Sequence, residues 1–311
     1  MWPEVMHLRG LDLNLLIILD VLLAERNVTR TGERVHLSQS ATSGALSRLR
    51  EFFDDQLLVQ VGQRMELTPF AEMLAEEVHD IISKCEAIVD KNQKFDPETS
   101  TRTFRLNISD ASATVVMNNA ITLIQKQAPH VRLDISSIID GPISEYLNIG
   151  VIDLIVTPTN LVSSQHPAEY LFDDQYVCVV WSGNPLCQTG INLDNYLSSG
   201  HIVARFSKMI GWALDEVFIS QSGYQRRIDI IVPSFSMLMT QLIGTNLIAT
   251  VHERFARYYS KYLPVEIFPC PIISEPFDMK LQWHRHHDGD LGIQWLRQIL
   301  HKSVLNLEPL S

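Results

Sequence analysis

The sequence predicts an α/β protein in two parts: an N-terminal winged helix-turn-helix with a long linker helix, then a two-lobed sensor domain. Three observations predict it. Helical spacing dominates the first ninety or so residues, interrupted by one short hairpin. From Phe104 onward, strand and helix patterns alternate. Between the two lies Asn92–Thr103, a polar stretch holding Pro97, Ser100 and three threonines, which reads as a hinge. A length of 311 residues suits about two domains.

Leu15, Leu19 and Leu22 recur at helical spacing, and Leu16 and Leu23 widen the stripe into a buried first helix. Asn27 caps a second helix, Val28–Val35, in which Gly32 costs roughly 1 kcal/mol against alanine. His36 and Leu37 form the turn. Ser38 caps a third helix, Gln39–Phe53, whose core stripe is Thr42, Leu46, Leu49 and Phe53. Its opposite face carries Ser40, Ser43, Ser47 and Arg50, with Gln39 at its start and no carboxylate before Glu51. A merely solvated helix displays Glu and Lys. Small hydroxyls instead let the backbone approach base edges, while Arg and Gln make bidentate contacts to guanine and adenine. Ser38 and Thr42, in the first turn, complete the DNA-facing set.

Leu57–Val61 and Arg64–Leu67 flank Gly62–Gln63, a hairpin whose tip has turn chemistry. Placed directly after the third helix, it reads as a wing that brings Arg64 to the phosphate backbone or into the minor groove. Thr68 and Pro69 open a long helix as N-cap and first helical residue. Its apolar residues Ala71, Leu74, Val78, Ile81, Cys85 and Ile88 are spaced 3, 4, 3, 4 and 3 apart. That is a heptad seam, which predicts pairing with a second copy of the chain.

Charge supports the same division. The chain carries net −11, yet Arg26–Arg50 holds five basic residues (Arg26, Arg30, Arg34, Arg48, Arg50) against Glu33 alone, a local +4. Arg30, Arg34 and Arg48 are therefore phosphate-contact candidates, and the acidic remainder limits non-specific sticking. Promoter DNA is the expected partner.

The sensor strands are Phe104–Ser109, Arg132–Ser137, Asp153–Pro158, Tyr176–Trp181, His201–Phe206, Arg227–Val232, Leu247–Val251, Val265–Phe268 and Met279–His284. In open parallel sheets, ligands sit at the carboxyl ends of strands against following helices. That rule selects Ser109, Asp110, Ser112, Thr157, Phe206, Ser234, Phe235 and Thr250, with Trp212 as an added wall. Hydroxyl donors beside aromatic walls suit a small aromatic effector, one bearing a phenolate or carboxylate. The domains are 1–67 (DNA-binding), 68–92 (linker), 93–103 (hinge) and 104–311 (effector-binding). In the last, lobe I is about 104–172 with 274–311 and lobe II about 173–273.

Several functions are disfavoured. The apolar run Leu13–Ala24 contains Asp20 and is too short to span a bilayer, and Glu25–Arg26 stand where a signal cleavage site would be. A cytoplasmic protein is expected. Cys85, Cys178, Cys187 and Cys270 form no Cys-x-x-Cys pair, and nothing local marks Cys178 or Cys187 as an activated redox couple. His284-Arg285-His286-His287-Asp288 invites a metal reading, but consecutive histidines in an extended chain point apart, so a solvated turn is expected. No catalytic constellation, metal site or cofactor loop is visible. The rival readings are a solute-capture protein whose N-terminus only oligomerises, and an enzyme on an aromatic acid.

Leu11-Asp12-Leu13-Asn14-Leu15-Leu16, Ala24-Glu25-Arg26-Asn27-Val28-Thr29, Leu37-Ser38-Gln39-Ser40-Ala41-Thr42-Ser43 and Leu46-Ser47-Arg48-Leu49-Arg50 resemble the start of LysR-type transcriptional regulators. Leu57-Leu58-Val59 and Leu67-Thr68-Pro69 continue the likeness. Phe95-Asp96-Pro97, Tyr176-Val177-Cys178, Gly200-His201-Ile202-Val203, Ile248-Ala249-Thr250-Val251 and Gln282-Trp283-His284 resemble the nodulation and naphthalene/salicylate branch. The resemblance implies a homotetramer built from dimers and a sensor fold like a periplasmic binding protein. It also implies an aromatic inducer held between the lobes, an activator role, and RNA polymerase as a further partner. Two positions depart from the pattern: Ser40 stands where the family commonly has Pro, and Gln175 where salicylate-type members tend to carry His.

Overall fold

Side-chain caps set the helix starts of the N-terminal unit. Asn27 accepts from the Arg30 amide and Ser38 from the Ala41 amide, fixing α2 (Val28–Arg34) and α3 (Gln39–Phe53) after α1 (Leu13–Glu25). The computed structural model describes residues 11, 13–62, 64–90, 95–137, 143–205, 214–273 and 275–310. The wing follows as β1 (Leu58–Val61) and β2 (Arg64–Leu67), antiparallel with Val61 opposite Arg64; the tip residue Gln63 lies outside the described residues. The linker helix α4 spans Pro69–Asp90. Asp55 Oδ1 accepts from the Leu57 amide and the Thr68 hydroxyl, both at 2.6 Å, and Thr68 Oγ1 accepts from the Ala71 amide, so one carboxylate joins the wing's entry to the cap of α4.

Leu19, Leu22 and Leu23 from α1, Leu46 and Leu49 from α3, Leu57 and Leu58 from the wing, and Ala71, Ala75 and Val78 from α4 form one buried core. Gly32 has a packing reason. A Cβ there would stand 2.9 Å from both the Leu37 carbonyl and Thr42 Oγ1, so the absent side chain lets α2 and α3 approach.

The heptad seam divides. Ala71 and Val78 face the chain's own core, Leu74 and Cys85 are half-buried, and Ile81 is 46% exposed, as is Met73 at 65%. The side chain of Ile88 lies outside the described residues. The face turned inward is Ala71, Ala75, Val78, His79, Ile82 and Ser83. Two later stretches, Ser144–Asp153 and His284–Leu291, belong to this same compact unit.

The second unit contains two five-stranded sheets. In chain order its elements are β3 (Thr103–Ile108), α5 (Asp110–Gln127), β4 (Arg132–Ser136), α6 (Ile143–Asn148, largely in the first unit), β5 (Leu154–Pro158) and β6 (Ala168–Asp174). Then come β7 (Tyr176–Trp181), α7 (Leu186–Thr189), α8 (Leu193–Ser198), β8 (Gly200–Ala204), α9 (Leu214–Gln221) and β9 (Arg227–Val232). The last are α10 (Phe235–Gln241), β10 (Ile248–His252), α11 (Glu253–Ser260), β11 (Val265–Pro269), β12 (Phe277–Trp283) and α12 (Leu291–Val304). The strand orders are β4–β3–β5–β12–β6 and β11–β7–β10–β8–β9. The chain crosses between sheets twice, at Gln175 between β6 and β7 and at 270–276 between β11 and β12. Each sheet has its own apolar core, around Phe104, Leu106, Leu154 and Leu296 in the first and Val179, Ile202, Val251 and Phe255 in the second.

The N-terminal winged helix-turn-helix, linker helix and two-lobed α/β sensor follow the expectation. The strand β6 does not: no sensor strand is expected between Pro158 and Tyr176. Three of its seven residues, Glu169, Asp173 and Asp174, are acidic, a composition that an edge strand paired only with β12 tolerates.

Gly32→Ala tests the close approach in the helix-turn-helix. The gain in helix propensity is about 1 kcal/mol, but the displaced backbone carbonyl makes the net effect a loss of about 1–3 kcal/mol, read as a lower urea midpoint.

Candidate DNA-binding and effector sites

The outer face of α3 is built as a smooth surface. Ser38, Gln39, Ser40, Ser43, Ser47 and Arg48 are exposed. Ser38 and Ser40 hydroxyls lie 3.0 Å apart, and the Ser47 hydroxyl donates to the Ser43 carbonyl. Gly44 lies on the same face, one turn from Ser40 and Ser47, with nothing within 4 Å of where its Cβ would be. A mid-helix glycine with open space above it gains nothing from internal packing. It bares the backbone to whatever the helix meets. Ala41 is also exposed there. Neither residue is among the DNA-facing candidates that the sequence suggests, although a costly glycine amid serines is a legible signal.

Three sequence-assigned residues have other duties. Thr42 is fully buried, its hydroxyl donating to the Ser38 carbonyl, and belongs to the core beneath the face. Arg50 turns away from the serines. Its guanidinium donates to the carbonyls of Gln56 and Leu58 at 2.8 Å, tying α3 to the wing. Arg34 pairs with Glu25 at 3.1 Å and donates to the Gly150 carbonyl. Arg30 and Arg64 remain on the surface.

In the sensor, Ser109 caps α5 by accepting from the Ser112 amide, and Ser112 is buried. Asp110 crosses to the other lobe. Its carboxylate accepts from the Ser236 amide at 2.7 Å, the Ser236 hydroxyl at 2.6 Å and the Phe235 amide at 3.3 Å. Ser234 caps α10, and Phe235 stacks near His252 and Phe255. Thr157 is buried in β5, at the carboxyl end beside β3, where Ile108 pairs with Val156. These residues gather on either side of Asp110. Thr250 does not join them. It sits in the second sheet's interior, where its hydroxyl lies 2.8 Å from Tyr196 Oη and accepts from Arg226, itself paired with Asp215 at 2.5 Å. Phe206 and Trp212 lie outside the described residues.

A cavity of about 400 Å³ opens beside the crossovers, lined by Tyr176, Phe218, Gln221, Ser222, Ile272, Ile273, Glu275, Pro276 and Phe277. None of the described effector candidates lines it. Tyr176 and Phe277 also pack against His252, with ring centroids 5.1–5.3 Å apart. Burial holds His252 neutral, down to about 4, even with Asp110 pulling the other way. Gln175, adjacent to the cavity in sequence, is committed: its amide nitrogen donates to Glu253 at 2.7 Å. Cys178 has Cys270 as its neighbour rather than Cys187. The Cys178–Cys270 hydrogen bond holds the Cys270 thiol at about 7, while burial pushes Cys178 well up. Cys187 donates to the Trp181 carbonyl.

Residues 97–304 match the family described as LysR substrate binding domain, and residues 13–72 the bacterial regulatory helix-turn-helix protein, lysR family. The chain belongs to the LysR family. It is 35% identical to Nodulation protein D of Bradyrhizobium sp. (strain ANU 289), over 97% of this chain and 89% of that one. It is likewise 35% identical to Nodulation protein D 1 of Rhizobium meliloti (strain 1021), over 98% and 99%. A solved probable transcriptional regulator from Pseudomonas aeruginosa superposes with TM-score 0.68 at 27% identity, covering 95% of this chain and 98% of that one. As a LysR regulator the chain is a DNA-binding protein with a domain for a small effector, which removes the enzyme and solute-capture readings. Among the described residues no helix is long and apolar enough to cross a membrane.

In this LysR chain Asp110 is a fastening between lobes. Asp110→Ala should cost about 1–3 kcal/mol of stability, since it orphans two amides from a charged acceptor, and amide exchange at Phe235 and Ser236 should accelerate.

Proposed function

We propose that this chain is an inducer-responsive transcriptional activator that holds a small aromatic effector between its sensor lobes. It works as a homodimer through α4, assembled further into a homotetramer. The observation that carries the DNA-reading half is the exposed face Ser40, Ser43, Gly44 and Ser47, which has no carboxylate and lies above a packed core. Gln39 and Ser43 meet base edges, whereas Arg30, Arg48 and Arg64 meet phosphates. The aromatic walls Tyr176, Phe218 and Phe277 support the effector class. The relatives named Nodulation protein D support control of symbiotic genes as the output, with aromatic-compound catabolic genes the alternative target. The exposed residues Met73 and Ile81 on α4 support self-association.

Fluorescence anisotropy with promoter fragments tests the DNA assignment. Arg48→Ala should weaken binding to all sequences and lower the salt slope by about one, whereas Gln39→Ala should change sequence preference. Gly44→Leu separates function from folding: it should keep or raise the melting temperature, by helix propensity worth about 1 kcal/mol, yet reduce DNA affinity by at least about tenfold. Wild-type binding by all three variants would remove the assignment. For the effector, phenols, chlorophenols, salicylates and flavonoids should be screened by thermal shift, with a rise in melting temperature expected for at least one class.

A further inference from the structure

The histidine-rich segment after β12 is not the solvated turn its sequence suggests. His284 is 1% exposed and starts a short 3-10 turn, Arg285–His287, packed against the linker helix. His79 on α4, 5% exposed, meets it with ring centroids 5.3 Å from His284 and 6.4 Å from His287. His284 in turn lies 5.1 Å from the His286 ring and 5.7 Å from that of His287. Four imidazoles thus share one joint, formed by α4 and a stretch continuous in sequence with the last sensor strand.

Several of their ring nitrogens face other polar groups. His79 Nδ1 faces Asp20 Oδ1 at 3.1 Å and its Nε2 faces the Ser83 hydroxyl at 3.1 Å. His284 Nδ1 accepts from the His286 amide, capping the turn, and its Nε2 points at Asp80 Oδ1 at 3.3 Å. His286 Nε2 lies 3.3 Å from Asp80 Oδ2, where Arg285 also binds at 2.7 Å. Among the described residues no group of three ligands is arranged for a metal ion. The ligand that imidazoles so arranged accept is a proton.

Charge decides how many protons the joint takes. Facing the rings are Asp20 from α1, Asp80 from α4 and Arg285 from the turn. The Arg34–Glu25 pair, closed on itself, reaches the Gly150 carbonyl, and Asp288 and Asp290 follow the turn in sequence. Gly150 itself, at φ 64°, leaves room for the His79 ring, which a Cβ there would approach to 2.1 Å. Two carboxylates against one guanidinium leave one negative charge beside the rings, enough to offset a single added proton. Further protons put like charges on rings about 5 Å apart. Protonation of His284 also converts Nδ1 from acceptor to donor, which breaks the cap on the turn.

We propose that this four-histidine joint is a proton sensor, in which protonation of His284 on top of its neighbours releases the 284–291 segment from α4 as the medium becomes mildly acidic. The regulator then responds to pH as well as to an effector, through a site separate from the sensor cavity. The inference rests on the joint alone, whatever the effector.

The test is hydrogen–deuterium exchange on the full-length protein with chelator present, at about pH 8 and about pH 6, which bracket the free imidazole value, with rates corrected for intrinsic exchange. Peptides covering 284–291 and 76–85 should lose about tenfold in protection at the lower pH, while peptides from β3 hold theirs. His284→Gln, whose amide can still cap the turn and donate to Asp80, should abolish the response. His79→Gln, which takes one imidazole out of the cluster so that a proton on His284 meets less repulsion, should shift it to higher pH and serves if the first variant fails to fold. Unchanged protection in the wild type would overturn the proposal. So would an equal loss in β3, or a response that survives in both variants.

Discussion

The inward face of α4 is the constraint on which the N-terminal unit depends. Ala71, Ala75 and Val78 are short enough for α1 to lie close along the helix, and Leu19, Leu22 and Leu23 fill the space between. Every other element of the unit is measured from that contact. The wing is fastened to the start of α4 through Asp55 and Thr68, and α3 packs its leucines onto the same core. Farther along, the same face changes from alanine and valine to His79 and Ser83, so the helix carries apolar packing at one end and a polar joint at the other.

The proposed reading surface follows from what that core holds still. An exposed helix face lined with serine and glycine stabilises nothing by itself. Its own hydrogen bonds are local, Ser38 to Ser40 and Ser47 back to Ser43. The order of α3 comes from Leu46 and Leu49 beneath, and from Gly32, which lets α2 brace its start. The sensor is organised by another rule. Two sheets share one chain that passes between them at Gln175 and again before Phe277, and the side chains at those passages are pinned by Glu253 and by aromatic packing. Asp110 adds a third fastening at a distance from both in sequence.

Much of this was legible in the residues. The helix-turn-helix, the wing and the α/β alternation follow from periodicity, and the serine face from its lack of carboxylates. What escaped was whatever depends on a partner that periodicity and charge do not reveal. Arg50 looks like a base ligand and Arg34 like a phosphate ligand because their positive charge is visible and their carbonyl acceptors are not. The seam on α4 looks like a dimer stripe throughout, because a 3-4 spacing describes packing on one's own core equally well. Strand β6 hides because an edge strand is free to be acidic. The histidines after β12 read as solvent-facing because Asp80 and His79 stand some two hundred residues earlier. In the sensor, the strand-end rule found the residues around Asp110 but not the cavity, whose walls come from the crossovers rather than from strand ends.

The guanidinium of Arg50 has a mechanical meaning beyond its two hydrogen bonds. By holding the carbonyls of Gln56 and Leu58, it makes α3 and the hairpin a single rigid tool instead of two independently jointed fingers. A duplex that accepts the helix meets the hairpin at one preset separation, without adjustable slack between them. On the proposed reading, the span of sequence over which the protein can feel the shape of DNA is therefore fixed by a side chain that need not touch a nucleotide.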